Sequence, residues 1–379
     1  MKQEPLTDIQ RIYPAKTLVE LVYSASQQAL FVSSPDWEDE GQSRVLRINP
    51  QTLAVEEEIS LQVKGFGVAL DDHRGHLYLS QGFNGTVAVV DIAANRPIAT
   101  IALMQEIAFK QLYQREGIVG ERQAFLLREL ERFGVSEGFP WKLRELVFDP
   151  RSERLFLPGL GLGIDSVLFV VDTRKRQLEK IIHGFGYNVV GITLDEAGRR
   201  VFVSNMQGQL FVVDPDSLAV VSQWEIEVDQ LLNMVYDPQQ NRIFGVDQGI
   251  DRSDWRNNHL EREYVARSAG HQVFALNADN GDVIARMATD EVPIGLAWDG
   301  ERQRLYVANR KGIRVDIGVG TLTVFDTARY CLLQTIPMAP HPNSLAFGKD
   351  KQCLFITVKN DETMIKAGLP ECVARMQLR

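Results

Sequence analysis

Cysteine is scarce in this sequence, with three residues, Cys331, Cys353 and Cys372, among 379. A small disulfide-stabilised scaffold needs a dense and usually even set of cysteines, so that class of protein is excluded. The odd number leaves at least one thiol without an intramolecular partner. We expect these cysteines to be small buried residues in the last third of the chain, because cysteine is among the most buried side chains.

Long apolar runs are also missing. No segment approaches the length that spans a bilayer, so no membrane span is expected. The first ten residues, MKQEPLTDIQ, lack the apolar core of a signal peptide. We therefore expect a periplasmic protein if a signal peptide was removed ahead of this sequence, and a cytoplasmic one otherwise.

Positive charge is in deficit, with 41 Lys and Arg residues against 50 Asp and Glu residues and a net charge of −9. This balance argues against general affinity for nucleic acids, although it permits a local basic groove. The six histidines show no closely spaced pair of metal ligands. The loop carboxylates Asp247, Asp251 and Asp254 do not fit the register of a calcium-binding EF-hand loop. No metal and no cofactor are expected.

What the sequence does contain is a recurring motif of short apolar runs. The clearest copy lies between Gly295 and Met338 and reads GLAWD, RLYVAN, TLTVFD and CLLQTI. Other copies begin near Gly67, Glu145, Gly191 and Asn233, and degenerate copies begin near Leu18 and His341. Each run has the length and alternation of a β-strand, so one copy predicts four strands, named A to D here.

The spacing of the copies indicates the fold class. The aspartates that end successive A strands, Asp149, Asp195 and Asp237, are 46 and 42 residues apart. Four-stranded, WD40-like propeller blades repeat every 40 to 45 residues or so. We therefore predict an all-β, seven-bladed β-propeller of four-stranded antiparallel blades, forming a single domain over residues 1–379. The last copy lacks a fourth run, and the N-terminal segment Asp8–Tyr13 is predicted to supply that strand and close the ring.

Departures from the repeat concentrate on one face. The A–B and C–D turns are short and uniform, whereas the B–C and D–A connections carry the insertions, at Ser33–Ser43, Met104–Pro140, Pro158–Asp165, Asp247–His271, Ala308–Gly320 and Lys359–Glu371. Because strands alternate in direction, all of these insertions lie on one face, called the top face here. Residues 104–140 are predicted to be helical, with Ala124, Leu127, Leu130 and Phe133 on the buried side and Gly134 at the end.

Candidate binding residues follow from this arrangement. The starts of the A strands line the top of the central channel, and Arg144 and Glu145 are the charged pair in that register. Asn233 and Asn343 occupy the same register, and His341 precedes Asn343 by two residues. The alternative is that Arg144 and Glu145 satisfy backbone groups at a narrow end of the channel.

Two further groups of candidates lie beside that rim. Asn205 and Asn309 end B strands and could donate hydrogen bonds to a ligand, or could equally cap their own loops. Trp141 and Trp255 fall in or beside insertions, where an aromatic ring could stack on a sugar or a base. The alternative for each tryptophan is that it anchors its own long loop.

The motif also resembles a known family. RLYVAN followed by TLTVFD is similar to the YVTN-type propeller repeat, and VFVSN at Val201–Asn205 is a second good copy. RELVFD, SVLFVVD and HPNSLAF add to a resemblance to the YncE-like family of bacterial seven-bladed propellers, covering the chain from about Leu18 onward. The resemblance implies a protein of the kind exported to the periplasm, with no established catalytic set.

Three functions remain open at this stage. The first is non-catalytic binding of a protein, a glycan or a small molecule at the top face and channel mouth. The second is a lactonase-like hydrolase at the channel mouth, for which Arg144, Glu145 and His341 are the acid–base candidates. The third is binding of single-stranded nucleic acid.

Overall fold

The computed structural model describes residues 9–312 and 317–378. Asp8 of the predicted closing strand, and residues 313–316 of the blade-six insertion, lie outside them. None of the helices in these two stretches is long and apolar enough to cross a membrane.

The described residues contain thirty-one strands, which form seven blades and one small hairpin. Strand β1 (Ile9–Ala15) belongs to the last blade. Blades one and two contain β2 (Leu21–Ser24), β3 (Ala29–Ser34), β4 (Arg44–Ile48), β5 (Val55–Ser60), β6 (Val68–Asp71), β7 (His76–Gln81), β8 (Thr86–Asp91) and β9 (Arg96–Ala102). The hairpin and blades three and four contain β10 (Ile107–Ala108), β11 (Glu137–Gly138), β12 (Trp141–Leu143), β13 (Val147–Asp149), β14 (Arg154–Gly161), β15 (Val167–Asp172), β16 (Gln177–His183), β17 (Gly191–Asp195), β18 (Arg200–Ser204), β19 (Gln209–Asp214) and β20 (Ala219–Glu225). Blades five to seven contain β21 (Met234–Asp237), β22 (Arg242–Asp247), β23 (Gln272–Asn277), β24 (Val283–Ala288), β25 (Pro293–Asp299), β26 (Arg304–Asn309), β27 (Thr321–Asp326), β28 (Cys331–Pro337), β29 (His341–Phe347), β30 (Cys353–Lys359) and β31 (Glu371–Gln377).

In the part of the chain that the structure describes, four α-helices interrupt the strands, and all of them lie in the predicted insertions. They are α1 (Phe109–Arg115), α2 (Gly120–Glu131), α3 (Ser253–Leu260) and α4 (Glu362–Lys366). Short 3₁₀ turns occupy Glu40–Gln42 and Lys349–Lys351.

The predicted fold class is confirmed: seven antiparallel blades form a β-propeller. Blade three departs from the four-strand pattern because its inner strand is broken, so that β12 and β13 both pair with β14. Strand β14 also runs to Gly161, so the first half of the predicted loop Pro158–Asp165 is strand.

The predicted N-terminal closure is confirmed as well. Strand β1 pairs antiparallel with β31, with Ile9 opposite Met376 and Arg11 opposite Ala374. The sheet order β1-β31-β30-β29 places the first strand of the chain at the outer edge of the last blade.

The chain divides into two compact units. The first contains blades one, six and seven, and the second, which includes Ala99–Arg286, contains blades three, four and five and helices α1 to α3. The residues of blade two are divided between the units. The single-domain interpretation stays a prediction.

Burial within the blades follows strand position. Every residue of β3 and of β22 is buried, whereas most of β5 and β28 is exposed. The sequence predicts buried cysteines. Cys372 is buried and Cys353 is half-buried. The expectation is wrong for Cys331, which is exposed because it begins the outermost strand of its blade. Burial raises the pKa of Cys372 to about 11, which keeps that thiol protonated and unreactive.

Buried aspartates end the A strands of five blades: Asp71, Asp149, Asp195, Asp237 and Asp299. The carboxylate of Asp149 accepts hydrogen bonds from the backbone N–H groups of Arg151 and Ser152 at 3.2 and 3.3 Å. It also accepts two from the guanidinium of Arg199 in blade four, at 3.0 and 2.8 Å. The acidic turn of the motif therefore shapes its own turn and, at Asp149, also connects two neighbouring blades of the second unit.

Removal of residues 1–14 tests the closing strand. Blade seven would lose its edge strand and the packing of Ile9 and Ile12 on neighbouring strands. We expect the truncated chain to lose its single cooperative unfolding transition, followed by circular dichroism on heating. Melting indistinguishable from that of the full chain would show that closure does not depend on β1.

Asp149→Asn tests the buried carboxylate. Breaking a buried ion pair from one side costs about 3 kcal/mol of unfolding free energy, measured by urea denaturation. Asp216→Asn is the matched control, because Asp216 holds the same guanidinium at 2.6 Å but is 57% exposed. It should cost less than about 1 kcal/mol. Equal losses in the two variants would contradict a special role for Asp149.

The environment of Asp149 also predicts how the free energy of unfolding depends on pH. Burial by itself would raise the pKa of Asp149, but hydrogen bonds from Arg199 and Ser152 hold its pKa below the ordinary aspartate value. A lowered folded-state pKa gives stability that is complete above the ordinary value and is lost as the pH falls below about 4. Asp149→Asn should therefore lose less stability than the unmodified protein on acidification through that range.

Candidate functional site

A cleft of about 440 Å³ opens in the second unit. Its walls come from the end of the helical insertion, the connections around blades three and four, and the long loop of blade five. The lining residues are Glu129, Leu130, Phe133, Lys142, Arg144, Leu160, Gly161, Leu162, Tyr187, Asn188, Val190, Met206, Leu232, Asp251, Arg252 and Trp255. Apart from the insertion, these residues belong to D–A or B–C connections or to strands next to them. The cleft therefore lies on the predicted top face of this unit.

The helical insertion forms one wall and has its own core. Helices α1 and α2 bury a cluster of apolar side chains: Phe109, Leu112, Tyr113, Ile118, Leu126, Leu130 and Ile164. The hydroxyl of Tyr113 donates to the carbonyl oxygen of Leu162 at 3.1 Å, which joins α1 to the loop of blade three.

The predicted face of the insertion helix is partly wrong. Leu126 and Leu130, four residues apart, are the buried positions of α2. The helix ends at Glu131, so Phe133 falls beyond it and is 77% exposed. The chain turns at Gly134, which has a positive φ of 66°. Helix α1 lies within the insertion predicted to be helical, and its buried residues Phe109, Leu112 and Tyr113 have helical spacing.

Helix α3 contributes Trp255 to the cleft. Trp255 packs edge-on against Phe125 of α2, with ring centroids 5.6 Å apart. Arg122 of α2 pairs with Glu261, just after α3, at 2.9 Å. These two contacts hold the helices of two separate insertions together beside the cleft.

Arg252, immediately before α3, is the most constrained cation of the cleft. Its Nε contacts the Sδ of Met206 at 3.1 Å, and its guanidinium reaches the Oε1 of Gln248 at 3.4 Å. Within the described parts of the chain no carboxylate lies within 4 Å of it. Burial lowers the pKa of Arg252, and the neighbouring charges of Arg144 and Arg256 lower it further, against the opposing effects of Tyr187 and Asp247. Desolvation and repulsion both act on this guanidinium, and an anion bound beside it would relieve them.

The other charged groups leave the cleft with a positive excess. Lys142 lies 5.5 Å from the ring centroid of Phe83, and Arg144 faces Glu145 at 3.6 Å. The two carboxylates of the lining already have partners. Glu129 pairs with Arg132 at 2.6 Å, and Asp251 accepts from the backbone N–H of Ser253 at 2.8 Å.

Tyr187 supplies a neutral hydroxyl group to the same cleft. Burial raises the pKa of Tyr187 to about 12, against the opposing effect of Arg252 and Arg256. The phenol therefore stays protonated at neutral pH, so it can donate a hydrogen bond to an anion but cannot act as a base.

Of the residues predicted from the sequence, Arg144 and Trp255 line this cleft. Glu145 lies beside Arg144 outside the lining, and Asn233 is half-buried at the start of its blade. Trp141 packs edge-on against Phe169 and donates its indole N–H to the carbonyl oxygen of Asp165 at 2.9 Å. Trp141 thus anchors the loop that it adjoins.

Asn205 is completely buried and shapes its loop. Its amide group donates to the carbonyl oxygen of Phe185 and to Gln209, and its Oδ1 accepts the backbone N–H groups of Gln207 and Gln209. The structure therefore matches the loop-capping alternative at this position.

The remaining predicted residues belong to the first unit and are also buried there. Asn309 donates to Thr323 at 3.1 Å and accepts from Thr289 at 2.9 Å. Asn343 accepts a hydrogen bond from Arg310 and donates to the carbonyl oxygen of Val19 at 2.8 Å.

The catalytic hypothesis gains no support from the position of His341. The histidine is almost fully buried in the first unit, with its Nδ1 against the carbonyl oxygen of Arg310. Arg144 and Glu145 belong to the second unit. Within residues 9–312 and 317–378, no three His, Cys, Asp or Glu side chains come together as a metal-binding group.

Sequence reasoning missed Lys142, Tyr187 and Arg252. A usable signal existed in the blade-five loop, where Arg252 and Arg256 are four residues apart in RSDWR and so share one side of a helical turn. The aspartates of the same loop had been considered as ligands, and the arginines had not.

Comparisons with known proteins agree with the fold. No family model matches the sequence. The chain is 23% identical to the uncharacterized protein YncE of Salmonella typhi, over 98% of this chain and 91% of that protein. It is 24% identical to YncE of Escherichia coli strain K12, over 96% and 89% respectively. Among solved structures, hydrazine synthase of Kuenenia stuttgartiensis superposes with a TM-score of 0.65 at 16% identity, over 100% of this chain and 99% of that one. The last match shows the fold alone.

Arg252→Met tests the unfavourable environment of the cleft cation. Methionine keeps the apolar stem and removes a charge that is desolvated and faces two others, so the free energy of unfolding should rise by about 1 kcal/mol. Added salt should reduce this gain by screening the repulsion. Arg199→Met is the control and should destabilise, because Arg199 has two carboxylate partners. A destabilised Arg252→Met variant would contradict the interpretation.

Proposed function

We propose that this YncE homologue is a binding protein without catalytic activity, and that its second unit binds a negatively charged ligand in the top-face cleft. The proposal depends on one observation. Three cations, Lys142, Arg144 and Arg252, line the cleft against the two carboxylates of Glu129 and Asp251. Glu129 pairs with Arg132 and Arg144 with Glu145, whereas Arg252 forms no ion pair among the described residues.

The residue types favour binding over catalysis. Hydrolysis requires a group that accepts or donates a proton near the reacting bond. The guanidinium groups of the cleft do not titrate at physiological pH, and the phenol of Tyr187 has a pKa raised to about 12. The carboxylates of Glu129 and Asp251 also line the cleft, but Glu129 pairs with Arg132 and Asp251 accepts a backbone N–H. Guanidinium groups are well suited to holding a carboxylate or phosphate through paired hydrogen bonds.

A single small ligand is favoured over a nucleic-acid strand. Single-stranded nucleic acids bind along extended basic grooves with exposed aromatic faces. Trp255 already uses its ring in an edge-on contact with Phe125, and residues of α2 and α3 line part of the cleft. A volume of about 440 Å³ lies within the usual range of small-molecule sites. The proposal is the same for a periplasmic and for a cytoplasmic protein.

Pyrophosphate tests the anion site, because it is an anion without an apolar part. Its binding should be measured by isothermal titration calorimetry on the full chain at several NaCl concentrations. Arg252→Met should weaken binding about tenfold or more, since a hydrogen bond to a charged group contributes about 1.5–3 kcal/mol. Affinity should also fall as the salt concentration rises.

The matched control is Arg115→Met. Arg115 lies on α1 in the same insertion, is largely exposed, and pairs with Glu116 outside the cleft. Its removal changes the net charge by the same amount and should leave pyrophosphate affinity unchanged. If both substitutions weaken pyrophosphate binding equally, the effect comes from the net charge of the protein, and the proposed site is wrong.

A further inference from the structure

The cleft has two chemically different linings. Its cations are Lys142, Arg144 and Arg252, whereas much of the remaining lining is apolar: Leu130, Phe133, Leu160, Leu162, Val190 and Leu232. A site for a purely polar anion such as phosphate would have no use for this apolar surface. Both linings belong to the same open cavity, so one ligand can contact both.

Phe133 gives the second observation. It lines the cleft and is 77% exposed, just after the end of α2. An exposed phenylalanine on its own is common. Here it continues the apolar wall formed by Leu130 and Leu162, so the lining extends beyond the buried core of the insertion. Apolar surface of this kind gains free energy when a ligand covers it.

We propose that the ligand is an anionic amphiphile: a carboxylate or phosphate head group carried on an aliphatic chain. The head group pairs with Arg144 and Arg252 and accepts a hydrogen bond from Tyr187. The chain lies against Leu130, Phe133 and Leu162. This inference rests on the proposed function, because it assigns the ligand class of the same cleft.

A free molecule fits this cleft better than a bilayer surface does. The cleft is concave and bounded by α2 and α3, whereas a bilayer offers a flat, extended surface. The protein as a whole carries a net charge of −9, which disfavours close approach to an anionic membrane. The proposed occupant is therefore a single amphiphile in solution.

A chain-length series tests the inference. Acetate, hexanoate, octanoate, decanoate and 1-octanol should be titrated calorimetrically below the concentrations at which they form micelles. Affinity should rise about three- to fourfold per methylene group, which is the free energy of burying one CH₂ expressed as a binding constant. 1-Octanol should bind at least tenfold more weakly than octanoate, because it lacks the charge.

Two substitutions separate the head group from the chain. Arg252→Met should weaken octanoate about tenfold and leave 1-octanol unchanged. Phe133→Ser should flatten the dependence on chain length and leave pyrophosphate unchanged. The control for the second is Val119→Ser, since Val119 is 70% exposed on the same insertion but does not line the cleft.

The outcomes distinguish the two proposals. In one outcome, pyrophosphate binding depends on Arg252 while the affinity for carboxylates does not depend on chain length. That result would contradict the amphiphilic ligand and support the anion site. If Arg252→Met changes the affinity for neither pyrophosphate nor octanoate, both proposals are wrong. If binding appears only with decanoate-containing vesicles and not with monomers, the cleft recognises a membrane surface, and a free amphiphile is excluded.

Discussion

A buried carboxylate at the end of the inner strand is the interaction on which most blades of this propeller depend. Five blades have an aspartate there, and at Asp149 the same group accepts backbone N–H bonds and an arginine from the next blade. The turn that it shapes has little freedom to change in length. In blade one the equivalent position is Ser24, whose hydroxyl donates to Asp72 of the following blade. The degenerate first repeat therefore replaces this contact with another side-chain hydrogen bond.

That constraint explains why the variable segments lie on the opposite face. A short turn whose backbone is tied to a buried carboxylate cannot accept an insertion without losing the contact. Buried carboxylates on the opposite face, such as Asp247 and Glu371, bond to backbone within longer connections. Helices α1 and α2 occupy one of these connections, and α3 occupies another. The contact between Trp255 and Phe125 holds these insertions together beside a concave surface. No single repeat contains all the residues of that surface.

The fold was predictable because its information is local and repeated. Strand length, the spacing of Asp149, Asp195 and Asp237, and the missing fourth run of the last copy each follow from short stretches of sequence, and the pairing of β1 with β31 confirmed the last of these. The site was less predictable. Asn205 and Asn309 look like ligand groups in the sequence, but Asn205 bonds the backbone of its own loop and Asn309 bonds neighbouring threonines. Arg252 gains its significance from Arg144, which comes from a distant loop, and no pattern along the chain brings the two together.

The positive cleft stands in a protein whose overall charge has the opposite sign. At low ionic strength, where the Debye length reaches about 30 Å, an approaching anion is influenced by the summed negative field of the protein. The attraction of Arg144 and Arg252 dominates only at close range. If the cleft binds an anion as proposed, association is slowed by this long-range repulsion, while dissociation is governed by the short-range contacts. Moderate ionic strength would lower the barrier before it weakens the contacts, so association and dissociation rates need not change with salt in the same proportion.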